Sequence, residues 1–180
     1  MTKNFVPVDF VVPTSYQGKR FQLQVLEPAV TELDYEAVMS SKQSLRKIFS
    51  NNDCWPSDKM TTKENNNDLV THLKEFNNRE AFAYTVLTPE KNKCIGCIYI
   101  EPCNREKFDA ECYFWIRNDT LYLETEFYLS VNKWIKDAWP FANIIWPGRE
   151  ISWKVWGKRS HSPVSYTHLR AHETPEPLVC

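Results

Sequence analysis

Residues 94–139 decide the fold, and they read CIGCIYIEP (94–102), DAECYFWIRNDT (109–120) and LYLETEFYLSVNKWIKDAW (121–139), with a short polar turn between the first two. The first two segments are apolar runs of strand type, and the third places apolar residues at helical spacing. A strand that passes directly into a helix is where α/β folds bind anions, because the helix N-terminus presents unpaired N–H groups. This junction is therefore the first place to look for a functional site.

The composition is that of a folded domain with balanced charge. The chain has 180 residues, enough for one domain with a core, and 42% of them are hydrophobic and 14% aromatic. The formal net charge is −1, which favours neither nucleic acid nor an anionic membrane as a partner. No apolar run is long enough to span a bilayer, and the N-terminus lacks a signal-peptide pattern. We therefore expect a cytoplasmic protein whose six cysteines are reduced and mostly buried.

Strand and helix patterns continue on both sides of the central region. One helix is predicted to begin at Thr31, which can act as a cap, and another at Thr61, which forms a capping-box pattern with Glu64. A third helix, capped by Asp119 or Thr120, ends at the dipeptide Trp139-Pro140. The predicted strands are 8–12, 20–26, 82–89, 94–100, 112–116 and 142–146. This order predicts an α/β or α+β domain with a mixed, mostly antiparallel central sheet flanked by helices.

The chain changes character near its C-terminus. We predict one domain over residues 1–160 and set apart residues 161–180, which have no apolar periodicity. This tail resembles translated sequencing-adapter sequence, and a natural disordered tail is the alternative. We therefore assign no functional role to His168, His172 and Cys180.

The element order through the fifth major strand resembles that of the GNAT acyltransferase superfamily. The resemblance is sharpest at Asp109–Phe114 (DAECYF), because GNAT histone-type enzymes carry a similar Ala-Glu-apolar-x-Phe run on the fourth strand. In those enzymes the glutamate is the general base for the substrate amine. The resemblance thus implies that Glu111 is the catalytic base of an N-acetyltransferase acting on a small-molecule or peptide amine.

A wider likeness, to a bacterial family of GNAT-like proteins, covers nearly everything from residue 20 to 156. It is carried by LDYEAVMSS (33–41), Trp55-Pro56, AFAYTVLT (81–88), CIGCIYI (94–100), Trp115-Ile116-Arg117 and WPFANIIWPGREISW (139–153). The sequence leaves this pattern soon after the fifth strand, which predicts a C-terminally abbreviated form of the fold.

The same resemblance implies acetyl-CoA as co-substrate, in a gap between strands 110–117 and 142–146. The binding residues that it implies are Trp115, Ile116, Arg117, Asn118, Thr120 and Tyr122. The superfamily signature, Arg/Gln-x-x-Gly-x-Gly/Ala, is altered here to RNDTLYL (117–123), and no glycine occurs between Gly96 and Gly148. Because glycine lets backbone N–H groups approach a pyrophosphate, and acidic residues flank this helix start, the loop departs from the expected phosphate cradle.

Each candidate residue also has an ordinary structural interpretation. Glu111 can be a solvated or paired acid at a strand start, and Arg117 can pair with a carboxylate instead of a phosphate. Cys94 and Cys97 form C-x-x-C, but residues three apart on a strand point to opposite faces, so no metal site is predicted. The tryptophans at 139, 146, 153 and 156 are mostly core residues, and any exposed ones could line an acceptor pocket or a homodimer interface.

Two functions therefore remain open. One is an N-acetyltransferase that uses acetyl-CoA, and the other is a GNAT-fold protein without catalysis that serves as a binding or interaction module.

Overall fold

The computed structural model of the chain describes residues 4–158. Its elements are β1 (Ser15–Gln17), β2 (Gln22–Val25), α1 (Thr31–Ser40), α2 (Lys42–Leu45), α3 (Thr62–Asn78), β3 (Phe82–Leu87), β4 (Cys94–Pro102), β5 (Ala110–Ile116), α4 (Glu124–Ala138), β6 (Ile144–Ile145) and α5 (Trp153–Lys158). Short 3-10 helices precede α1 and α4, at Pro28–Val30 and Asn118–Leu123. The tail predicted at 161–180, with its two histidines and Cys180, lies outside the described residues.

The strands form one sheet in chain order, from β1 to β6. All neighbours are antiparallel except β5 and β6, which pair in parallel. The prediction of a mostly antiparallel sheet flanked by helices is therefore confirmed. No helix within residues 4–158 is long and apolar enough to cross a membrane.

The helices cover both faces of the sheet, and the strands alternate between two cores. On one face, Val38 of α1 and Leu69 of α3 pack with the aromatic side chains of β4 and β5. On the other face, the apolar side of α4 packs against the remaining strand residues, which include Phe114. Because successive strand residues point to opposite faces, both faces of β3, β4 and β5 are apolar over most of their length. The core interpretation of Trp139, Trp146 and Trp156 is confirmed, since all three are buried.

The capping box predicted at the start of α3 is present. The Thr61 Oγ1 accepts from the Glu64 N–H at 3.2 Å, and the Thr61 N–H donates to Glu64 Oε2 at 2.7 Å. Each bond satisfies a donor that the first turn of a helix leaves without an intrahelical partner.

The strand predicted at 8–12 is wrong. This segment forms no strand, and β1 begins only at Ser15. Val8 and Val11 are 80% and 85% exposed, so the apolar run does not mark a buried strand. Proline at positions 7 and 13 brackets the segment, and proline cannot donate to a sheet ladder.

The third helix begins later than the sequence predicts. Asn118–Leu123 form a 3-10 helix in which Thr120 has non-helical angles, and α4 begins at Glu124 without a side-chain cap. Neither Asp119 nor Thr120 caps it, so that expectation is wrong. The strand and the α-helix are therefore separated by a tight turn rather than joined directly.

The expected arrangement of Cys94 and Cys97 is also wrong. The pairing of β3 with β4 shifts register, from Val86 opposite Gly96 to Leu87 opposite Cys94. The bulge places one extra residue on β4, between Cys94 and Gly96. Both cysteines therefore lie on the same face of the sheet. Glycine is needed at 96, because a Cβ there would lie 2.2 Å from the carbonyl oxygen of Trp115.

Candidate active site

Two glutamates face each other at one end of the sheet. Glu101 of β4 and Glu111 of β5 are directly opposed partners in the antiparallel ladder, which places both side chains on the face covered by α1 and α3. Both are partly buried. A third carboxyl group, from Glu75 of α3, is buried nearby and lies 3.3 Å from the Nδ1 of His72. The arrangement is a carboxyl-rich wall under the end of α3.

Burial raises the pKa of Glu111 above its ordinary value. Hydrogen bonds from Tyr113 and Cys103, together with the positive charge of Arg105, act in the opposite direction and favour the carboxylate. A carboxylate with a raised pKa is a better proton acceptor than an ordinary surface acid. Burial thus moves the pKa of Glu111 in the direction that favours general-base chemistry.

The pKa of Glu101 is raised further, to about 8, by burial first and then by the negative charges of Glu111 and Glu75. At neutral pH the pair therefore holds a proton on Glu101 while Glu111 is the more readily ionised member. Sequence reasoning missed Glu101. Its signal was available in the hairpin, since a residue four positions after Cys97 shares the face of Tyr99 and sits across from the start of the next strand.

The gap between β5 and β6 lies beside Glu111. The two strands pair only at Ala110 with Ile144 and at Glu111 with Ile145. Within the described sheet, β5 residues 112–116 pair with β4 alone, so their other backbone edge has no strand partner. Strands that part in this way expose N–H and C=O groups for an extended ligand.

Arg117, predicted to contact a phosphate, forms ion pairs with two carboxylates. Its guanidinium makes two hydrogen bonds to Glu36 of α1, one of them 2.6 Å from Nη2 to Oε1. Its Nε lies 3.0 Å from Asp119 Oδ1, and Asp119 also accepts from Lys93 at 2.6 Å. The carboxylate-paired interpretation of Arg117 is thus the one that the geometry matches.

The other residues of the predicted cofactor loop point in different directions. The Asn118 N–H donates to Ser41 Oγ at 3.0 Å, and the Thr120 N–H donates back to the Arg117 carbonyl at 2.9 Å. Tyr122 is 70% exposed, with the Arg20 guanidinium over its ring. Two backbone N–H groups of the loop are therefore already hydrogen-bonded within the protein.

Trp115 and Ile116 are buried on opposite faces of β5. The Trp115 indole N–H donates to the Tyr99 hydroxyl at 3.3 Å. Neither side chain lines a surface, so any contact that these two residues make with a ligand must come from their backbone.

Arg149, which the sequence did not single out, and Trp153, one of the four tryptophans named from the sequence, both contact aromatic side chains of β5. Arg149 stacks over the ring of Phe114, with 3.7 Å from guanidinium carbon to ring centroid, and bonds to Glu124 Oε1 at 2.8 Å. Trp153 stacks on Tyr113, with ring centroids 6.1 Å apart. Arg149 therefore holds a positive charge at the N-terminus of α4, where the family resemblance implies a phosphate.

Solved acetyltransferases have the same fold. The ribosomal-protein-S5-alanine acetyltransferase of Vibrio fischeri is 12% identical over 70% of this chain and 69% of that one, with a TM-score of 0.53. A probable acetyltransferase has a TM-score of 0.55 at 12% identity, and the match covers 68% of this chain and 67% of that one. The microcin C7 self-immunity acetyltransferase, solved with acetyl-CoA and AMP, has a TM-score of 0.55 at 14% identity. The match covers 70% of this chain and 67% of that one.

These likenesses confirm the GNAT acetyltransferase fold that the sequence resemblance implied. No protein-family model matches the sequence, and a search of curated proteins finds no match.

Proposed function

We propose that the protein transfers an acetyl group from acetyl-CoA to an amine, with Glu111 as the general base. One observation carries the proposal: a partly buried glutamate with a raised pKa stands beside the gap between β5 and β6, in an acetyltransferase fold. Fold alone does not give an activity, and this site supplies the chemistry that an amine substrate needs.

The chemistry begins with deprotonation, because an amine is mostly an ammonium ion at neutral pH and cannot attack a carbonyl. Glu111 accepts that proton, directly or through a water molecule. The freed nitrogen then forms a bond to the thioester carbonyl carbon of the co-substrate. The thiolate leaves with the electron pair of the carbon–sulfur bond and takes up the second proton, which the nitrogen loses as the amide forms. A positioned general base contributes roughly 10²- to 10⁴-fold to such a step.

The carboxyl-rich wall formed by Glu75, Glu101 and Glu111 suits a positively charged acceptor. An ammonium group approaching this wall meets the negative charges of Glu111 and Glu75 and the carboxyl group of Glu101, which can accept a hydrogen bond. We therefore propose a cationic small molecule or the amino terminus of a peptide as the acceptor. One enzyme with this fold is the ribosomal-protein-S5-alanine acetyltransferase of Vibrio fischeri, which is consistent with a peptide acceptor.

The fit of acetyl-CoA differs along its length. The free backbone edge of residues 112–116 suits the amide groups of a pantetheine arm, which Trp115 and Ile116 would bind through their main chain. At the phosphate end, Arg117 is paired with Glu36, and Asn118 and Thr120 use their N–H groups internally. We propose that Arg117, Asn118, Thr120 and Tyr122 still border the phosphates, at an energetic cost that lowers affinity.

The experiment is a thiol-release assay with acetyl-CoA and a panel of amines: peptides beginning with alanine or serine, polyamines, and neutral aromatic amines. Release that depends on a cationic amine, and that falls at least a hundredfold in Glu111→Gln, supports the proposal. Equal rates in the wild type and in Glu111→Gln would overturn the role of Glu111.

The non-catalytic alternative has one observation in its favour, the internally paired loop around Arg117. It does not account for the free backbone edge of β5 beside Glu111. Acetyl-CoA binding distinguishes the two functions, because the enzyme must bind acetyl-CoA and the non-catalytic module does not.

A further inference from the structure

A second cluster of reactive side chains lies in the core, apart from the carboxyl-rich wall. It consists of the carboxylate of Asp34, on α1, and the thiols of Cys94 and Cys97, on β4. Their ligand atoms all lie within 4.8 Å of one another, and all three residues are buried. The thiol of Cys97 is 3.1 Å from Asp34 Oδ1.

The bulge in β4 creates this cluster. Without the extra residue, Cys94 and Cys97 would point to opposite faces, and only one of them would reach α1. Gly96 permits the bulge, because any larger residue would meet the Trp115 carbonyl. Two thiols and a carboxylate from distant parts of the chain thus meet at one point through a specific distortion of the strand.

Two uncharged donors contact the carboxyl group of Asp34. Its carboxylate accepts from the Asn65 amide at 2.9 Å and from the Cys97 thiol, and neither donor carries a positive charge. Within residues 4–158, no lysine or arginine forms an ion pair with Asp34. A buried carboxyl group in these surroundings either keeps a proton or binds a cation, and a cation held between it and the two thiols would let all three groups ionise.

We propose that Asp34, Cys94 and Cys97 form a buried structural site for Zn²⁺. Two thiolates and a carboxylate are a ligand set that zinc accepts, and the thiolates exclude hard cations such as Mg²⁺. With Zn–S bonds of about 2.3 Å, two thiolates on one tetrahedral ion lie about 3.7 Å apart. The side chains therefore need only small adjustments from their present separations.

Two neighbouring residues contact the ligand set without being part of it. The hydroxyl of Thr85, on β3, is buried and lies 3.5 Å from Cys94 Sγ, so it can hydrogen-bond to that sulfur. Asn65 holds the Asp34 carboxylate from α3, as groups outside the ligand set commonly do for metal-bound carboxylates. Zinc would then join α1 to β4 and stabilise the packing of α1 and α3 on the sheet.

The test is the metal content and spectrum of the protein purified under reducing conditions. We expect close to one zinc per chain by elemental analysis. Refolding with Co²⁺ should give a thiolate-to-cobalt charge-transfer band and the visible bands of tetrahedral cobalt. Wild-type protein that binds neither metal after anaerobic refolding would overturn the proposal and leave a hydrogen-bonded core cluster.

Variants separate this site from any other source of metal. Cys97→Ser should lose the charge-transfer band, and Asp34→Asn, which keeps an oxygen and a hydrogen-bonding group, should weaken zinc binding at least tenfold. Cys112→Ser is the matched control, because Cys112 is an equally buried free cysteine in the core on the opposite face of the sheet. Full zinc content in folded Cys97→Ser would contradict the assignment.

Discussion

Glu101 and Glu111 stand directly opposite each other on β4 and β5, and the charge of Glu111 helps to raise the pKa of Glu101 to about 8. Two facing acids in a half-buried site do not ionise together at neutral pH. Glu101 therefore keeps its proton to the higher pH, and Glu111 is the one we propose as the base. This division of roles is the basis of the predictions about activity and pH.

Replacing the proposed base should slow acetyl transfer without removing the binding site. We expect Glu111→Gln to lower kcat by about 10²- to 10⁴-fold, because glutamine accepts no proton, while acetyl-CoA binding changes little. The control is Glu106→Gln, an exposed acid in the connection between β4 and β5. A loss of equal size in both variants would argue against a specific role for Glu111.

The pH dependence of the rate should report the same group. Burial raises the pKa of Glu111, so the acidic limb of the kcat/KM profile should lie above 4.5, the ordinary value for glutamate. In Glu111→Gln this limb should disappear from the residual rate. A limb that persists unchanged in the variant would assign it to another group.

Stability should fall as Glu101 ionises. Its folded-state pKa of about 8 lies above the ordinary 4.5, so the protonated carboxyl favours the folded state and this contribution is lost as the pH rises through about 8. The free energy of unfolding should be measured in urea at pH 6 and pH 8.5. Between these two values the wild type should lose at least about 1.4 kcal/mol more stability than Glu101→Gln does. An identical pH dependence in the two proteins would show that Glu101 titrates normally.

The pairing of Arg117 with Glu36 should limit acetyl-CoA affinity. Glu36→Gln removes the opposing charge and frees the guanidinium for a phosphate, so we expect roughly threefold to tenfold tighter binding in calorimetry. Glu32→Gln, another exposed acid on α1, is the control. Unchanged affinity in Glu36→Gln would place the phosphates away from Arg117.

The bulge in β4 should depend on Gly96. Gly96→Ala places a methyl group 2.2 Å from the Trp115 carbonyl and should cost about 2 kcal/mol or more in the free energy of unfolding. Gly157→Ala is the control, because a Cβ there meets nothing within 4 Å. Equal stabilities for the two variants would mean that the strand can relax around position 96.

The sequence predicted what local patterns determine. The capping box of Thr61 and Glu64 fixes the start of α3, and the turn at 89–92 joins the hairpin of β3 and β4. The Ala-Glu-apolar-x-Phe run located Glu111 on the fourth major strand. These features depend on residues that are close in the chain.

What the sequence did not predict depends on contacts between distant residues. The partner of Glu111 follows from the register of β4 against β5, and the common face of Cys94 and Cys97 follows from a bulge that ordinary alternation does not show. The pairing of Arg117 with Glu36 joins residues 81 positions apart. Long-range pairing of this kind requires the folded structure.

Calorimetric titration of the wild-type protein with acetyl-CoA tests the central claim most directly. The account predicts saturable binding at millimolar concentration or below, retained in Glu111→Gln and strengthened in Glu36→Gln. Absence of binding at millimolar acetyl-CoA, in folded wild-type protein and in Glu36→Gln alike, would contradict the acetyltransferase proposal and favour the non-catalytic module.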